Sequence, residues 1–109
     1  MKKVTANQVE RLLAVPRMVL IDVVDRHLFK RGHIPGSRNA PVGEGDFVSR
    51  VGSWVKGRDT TIVVYSAAPE SVPPDGAARA LMRAGYTEVF AYEGGVADWQ
   101  AAGKDIEEG

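Results

Sequence analysis

Two kinds of apolar pattern alternate along this chain. Continuous runs occur at Met18–Val23, which holds one acid, at Thr60–Tyr65 and at Glu88–Tyr92. Such β-branched runs suit strands of a parallel sheet buried on both faces. Helical spacing fills the intervals. Thr5 and Gln8 form a capping-box pattern that predicts a helix to about Ala14, with Val9, Leu12 and Leu13 buried and Pro16 as the stop. Phe47, Val48, Val51, Trp54 and Val55 predict a helix over Glu44–Val55, weakened by Gly45 and Gly52. Ala77, Ala78, Leu81 and Met82 mark another over Asp75–Ala84, with Gly85 as C-cap, and Val96–Ala102 a last one, stopped by Gly103.

The connections carry their own signals. Asp25–Gly32 predicts one short helical turn and Asn39–Val42 a very short strand. Turns are expected at Pro35-Gly36, Lys56–Asp59 and Gly94-Gly95. No linker, repeat or low-complexity segment interrupts the pattern. The expected fold is α/β: a mainly parallel, five-stranded sheet with helices on both faces, with Ile21 and Val63 in adjacent central strands. Residues 1–109 are expected to form one domain.

Composition narrows the function more than the fold. Fourteen basic and fourteen acidic side chains cancel, so there is no electrostatic reason to expect nucleic acid or an anionic membrane as partner. The basic residues gathered at Arg26, Lys30, Arg31 and Arg38 read as a solvated face. With no cysteine, disulfides, thiolate metal sites and thiol chemistry are excluded. His27 and His33 have no partner at helical ligand spacing, so neither a metal nor a cofactor is expected. The N-terminus turns polar at once, and no apolar run approaches the roughly 20 residues needed to span a bilayer. A cytoplasmic protein is expected.

The candidate site is the end of the Thr60–Tyr65 strand. Ser66 closes it, Ala67, Ala68, Pro69, Glu70, Ser71, Val72, Pro73 and Pro74 make a loop, and Asp75-Gly76 opens the next helix. Open α/β sheets put their reactive groups at such strand ends.

Several segments in order resemble the rhodanese-like family. They are Val19-Leu20-Ile21-Asp22-Val23, Phe29, Gly32-His33-Ile34-Pro35-Gly36-Ser37-Arg38-Asn39-Ala40-Pro41 and Ile62-Val63-Val64-Tyr65. The Ala77-Ala78 helix ending in Gly85-Tyr86 follows, then Tyr92-Glu93-Gly94-Gly95 with Asp98-Trp99 and Ala102-Gly103. The resemblance implies a reaction in which a thiolate takes sulfane sulfur from a donor such as thiosulfate, becomes a persulfide and passes the sulfur to an acceptor. It also implies a cysteine where this chain has Ser66. Ser71 is a second candidate position, because some members carry another cysteine further into the loop; it would leave the loop short for cradling an anion.

A serine hydroxyl neither ionises near neutral pH nor stores a second sulfur. The loop departs from the family in other ways. Pro69, Pro73 and Pro74 bring no N–H to an anion nest, Glu70 adds negative charge, and Val24 stands where arginine is frequent. Arg79, a turn into the helix, is the nearest arginine that could support the site. His33 reads as a residue that fixes a loop by hydrogen bonding, and Asp22 as a tie between its strand and neighbouring loop N–H groups. Trp99 and Phe90 read as core.

Three functions remain open. The chain is a rhodanese-like domain without its nucleophile that binds or regulates a partner, whether a protein or a small sulfur-containing anion. Alternatively it is a cysteine-to-serine form of a working sulfurtransferase. A serine hydrolase is the poorest fit, since no Gly-x-Ser-x-Gly elbow is present.

Overall fold

The computed structural model describes residues 1–68 and 71–109; Pro69 and Glu70, two of the expected loop residues, lie outside it. Among the described residues the chain runs β1 (Lys2–Lys3), α1 (Ala6–Leu12), β2 (Val19–Asp22), α2 (Arg26–Arg31), β3 (Arg38–Asn39), α3 (Phe47–Gly52), β4 (Thr61–Tyr65), α4 (Asp75–Arg83), β5 (Glu88–Tyr92) and α5 (Gly95–Ala101). The five strands form one sheet in the order β1-β5-β4-β2-β3, and every pairing is parallel. Ile21 stands opposite Val64 in the β2–β4 pair, so both long apolar runs are interior strands.

The two-residue period of the strands divides the core. Ile21, Ile62 and Val64 face Phe47 and Val51 of α3 and Ala77, Ala78 and Leu81 of α4. Leu20, Val63 and Tyr65 face Ala6 and Val9 of α1 and Trp99 of α5. Fully burying one such aliphatic side chain contributes about 1.5–3 kcal/mol, which is why these strands tolerate no polar face. Trp99 is core as expected, while Phe90 is only partly buried against it.

Boundaries depart from the pattern in instructive places. The Thr5 capping box forms, with Gln8 N–H donating to the Thr5 hydroxyl and the Gln8 amide oxygen accepting from Thr5 N–H. The helix stops at Leu12 nonetheless, and Leu13 is 40% exposed, lining an open cleft with Pro35 and Trp99 instead of entering the core. Met82 is 42% exposed because it lies at the edge of the stripe made by Ala77, Ala78 and Leu81. The expected strand over Asn39–Val42 sits earlier, at Arg38–Asn39, since pairing with Ile21 and Asp22 sets its register. The helix expected over Glu44–Val55 is only α3, ending at Gly52; Trp54 and Val55 pack on the core from irregular backbone. β1 carries no apolar run and was not legible; it exists through its pairing with Phe90 and Ala91.

Candidate functional site at the crest of the sheet

Because all strands are parallel, their C-terminal ends lie along one rim. The chain leaves β2 toward β3 on one side and returns to β4 on the other, and the crevice between two such ends is where open α/β sheets hold ligands. Asp22 and Tyr65 end these two strands in register, and Ser66 follows directly. Val23 N–H donates to the Tyr65 carbonyl at 2.9 Å, carrying the pairing one step beyond the strands.

Ser66 is 1% exposed. Its hydroxyl lies 3.3 Å from that of Ser71 and a long 3.5 Å from the Ala68 carbonyl. Ser71 knits the loop: its hydroxyl donates to the Ala68 carbonyl at 2.8 Å and accepts the Ala68 N–H at 3.3 Å, while its own N–H donates to the same carbonyl at 3.0 Å. The two candidate serines are thus brought together, and the Ala68 and Ser71 N–H groups are spent inside the loop.

From the other side α5 grips the crest. Val96 N–H donates to the Ser66 carbonyl at 3.1 Å and Ala97 N–H to the Ala67 carbonyl at 2.9 Å. Gly95 makes this approach possible. It has φ +66°, and a Cβ there would stand 2.3 Å from the Ser66 carbonyl oxygen.

Beneath the crest the polar groups form a chain of bonds. The Tyr65 hydroxyl accepts from Ile34 N–H at 3.0 Å and lies 2.8 Å from the Ser37 hydroxyl. Ser37 donates to the Ile34 carbonyl at 2.7 Å, so the phenol proton goes to Ser37. Asn39 donates to the carbonyls of Asp22 and Val24 at 3.1 and 2.8 Å, closing the turn after β2. Asp22 accepts Val24 N–H on Oδ1 at 3.0 Å, and its Oδ2 is buried with no hydrogen-bond partner among the described residues. Burial pushes the Asp22 carboxyl up to about 6, against the Val24 N–H, the nearby Tyr65 hydroxyl and the charge of His33. Burial and the Asp22 charge push the Tyr65 phenol upward in turn.

His33 has no contact with Ser66 among its described bonds. It is buried, stacks on Phe29 with ring centroids 3.8 Å apart, and places Nδ1 2.9 Å from the Phe29 carbonyl. Its backbone pairs in both directions with Glu107, tying the C-terminal segment to the end of α2.

The electrostatics at the start of α4 are those of an acid. Asp75 occupies the first turn, its Oδ1 buried without a partner and its Oδ2 3.8 Å from Lys3, which bonds Glu93 at 3.0 Å. Pro74 offers no side-chain cap. Arg79 is exposed and stands close enough to Lys3 to oppose its charge. Among the described residues no group of His, Asp and Glu could hold a metal ion, and no helix is long and apolar enough to cross a membrane.

The family of rhodanese-like domains matches residues 5–102, the strand crest included. The chain belongs to that family. YibN of Escherichia coli (strain K12) is 31% identical over 105 residues, which is 96% of this chain and 70% of that protein. GlpE of Shewanella oneidensis, a thiosulfate sulfurtransferase, is 24% identical over 101 residues, 93% of this chain and 94% of that one. The crystal structure of the Alr3790 protein from Anabaena superposes with a TM-score of 0.82 at 31% identity, covering 96% of this chain and 91% of that one.

Within this rhodanese-like domain the sequence alone points to Asp22, His33, Ser66 and Ser71 but not to Tyr65, Ser37 or the orphaned oxygen of Asp75. A tyrosine ending an apolar strand reads as core. Only the strand register shows that its hydroxyl reaches the Ile34–Ser37 turn.

Proposed function

We propose that this rhodanese-like domain is a non-catalytic binding or regulatory module of sulfur metabolism or signalling, with the loop after β4 as its contact surface. The observation that carries this reading is a buried serine at the strand end of a chain without cysteine. A sulfurtransferase must hold sulfane sulfur as a persulfide, displacing sulfite from thiosulfate, and no side chain here does that. The acid at the head of α4 and the internally spent loop donors also disfavour a thiosulfate anion. Beside the loop, a cleft of about 370 Å³ lined by Leu28, Arg31, Ala67, Val96, Gln100 and Ile106 offers a mixed apolar and polar surface for a partner. A protein or a small sulfur-containing anion is the expected partner, in the cytoplasm; neither nucleic acid, a membrane nor a cofactor is called for.

A cysteine-to-serine form of an active sulfurtransferase is the second reading. It is favoured by the 3.3 Å approach of Ser66 and Ser71, both at positions where the family places cysteines. A thiosulfate–cyanide assay separates the two. The chain itself should yield no protein-dependent thiocyanate. Ser66→Cys should recover only weak turnover, because the donors around the restored thiol stay engaged or absent. Turnover at the level of an ordinary sulfurtransferase, with a one-sulfur mass gain after thiosulfate, would reject the binding-module reading.

A further inference from the structure

Beside the start of β2, three cationic side chains from three separate segments line one cleft. Arg17 comes from the connection into β2, Arg38 from the segment after the Gly36 turn, and Lys56 from the connection into β4. All three are exposed, and the described ion pairs engage none of them. The cleft holds about 230 Å³, and no acidic residue lines it. Its wall is the half-buried Trp54, whose ring carries the Arg38 guanidinium 5.3 Å from its centroid. That contact holds one cation in place before any ligand arrives. Arg17 adds a conformational oddity: with φ +66° it is the one non-glycine in the left-handed region among the described residues.

Like charges gathered without counter-charge repel each other, and an anion relieves the repulsion. An arginine presents a planar fork suited to phosphate or carboxylate oxygens, and a lysine adds a mobile point charge. We propose that this cleft is a binding site for a compact polyanion, a small molecule bearing a phosphate chain or several carboxylates. The site shares no lining residue with the loop after β4. The small volume and the single aromatic wall fit a small molecule. An extended acidic chain would also meet Asp59, which lines the adjoining cleft beside Arg17 and Lys56.

The test uses tripolyphosphate and citrate as probes, titrated to about 1 mM at constant ionic strength. Binding is read by calorimetry and by amide and indole NMR shifts. The expected result is saturable one-site binding of at least one probe. Shifts should fall at Gly36, Arg38 and the Trp54 indole and spare Ala67 and Ser71. Arg17→Asn, chosen because asparagine tolerates the left-handed backbone, and Lys56→Gln should each weaken binding about tenfold. Both positions are exposed, so unchanged thermal unfolding of the variants confirms that the fold is kept. The proposal is overturned if neither probe saturates, if both variants bind as the parent does, or if the shifts concentrate on the loop after β4. A response to tripolyphosphate alone assigns the site to phosphate, and one to citrate alone assigns it to carboxylates.

Discussion

The segment from His33 to Asn39 and the loop after β4 both meet the end of β4, yet they are built on opposite terms. In the first, polar groups reach out to other elements: Ile34 N–H and Ser37 to Tyr65, Asn39 to the turn after β2, His33 to the C-terminal segment. In the second, side-chain bonds close on the loop itself, through Ser71 and Ala68. Scaffolding bonds link distant segments and raise the cost of losing any one. A loop whose bonds are local can change its residues without unfolding the sheet. The segment from His33 to Asn39 is built on the first kind, and the loop after β4 on the second, in a chain without cysteine.

That contrast predicts graded effects. Gly95→Ala should be the most damaging change, because the new methyl would overlap the Ser66 carbonyl and the residue would stay left-handed. A loss of more than about 3 kcal/mol is expected in urea unfolding. A variant as stable as the parent would show that the grip of α5 on the crest is dispensable.

The buried acid supplies the next effect. The Asp22 carboxyl is raised in the folded state, so the fold binds its proton more tightly than the unfolded chain does. The associated stability is fully present below the unfolded value near 3.8 and is lost as pH rises through about 6. The loss is at most about 3 kcal/mol, from a shift of about two units. Measured from pH 4 to 7, the parent should therefore lose stability relative to Asp22→Asn. Parallel pH profiles for the two proteins would contradict this.

Tyr65→Phe should cost about 2 kcal/mol, since it strands the Ile34 N–H and removes the hydroxyl that donates to Ser37. Amide exchange at Ile34 should accelerate, whereas exchange at Ser71 should not. Ser71→Ala should be mildest, at about 1 kcal/mol, because the loop is near solvent and the released Ala68 groups find water. A Ser71→Ala penalty larger than that of Tyr65→Phe would invert the comparison between the two regions.

What could be read from residues alone follows the reach of the forces involved. The Met18–Val23, Thr60–Tyr65 and Glu88–Tyr92 runs announced interior strands because burial on both faces leaves no alternative to continuous apolar sequence. The Thr5 capping box is local chemistry and was equally plain. Gly94-Gly95 was legible only as a turn, the need for glycine at 95 arising from the Ser66 carbonyl across the crest. The absence of cysteine removed thiol chemistry without any coordinates. Tertiary structure decided the rest. β1 exists only because β5 offers an edge, β3 takes its register from β2, and Leu13 and Met82 fall outside the core by a fraction of a turn. The meeting of Ser66 with Ser71, the Tyr65–Ser37 link and the convergence of Arg17, Arg38 and Lys56 join segments far apart or turned through a loop. No periodicity encodes such contacts, because they depend on how the strands stack and on where each connection returns.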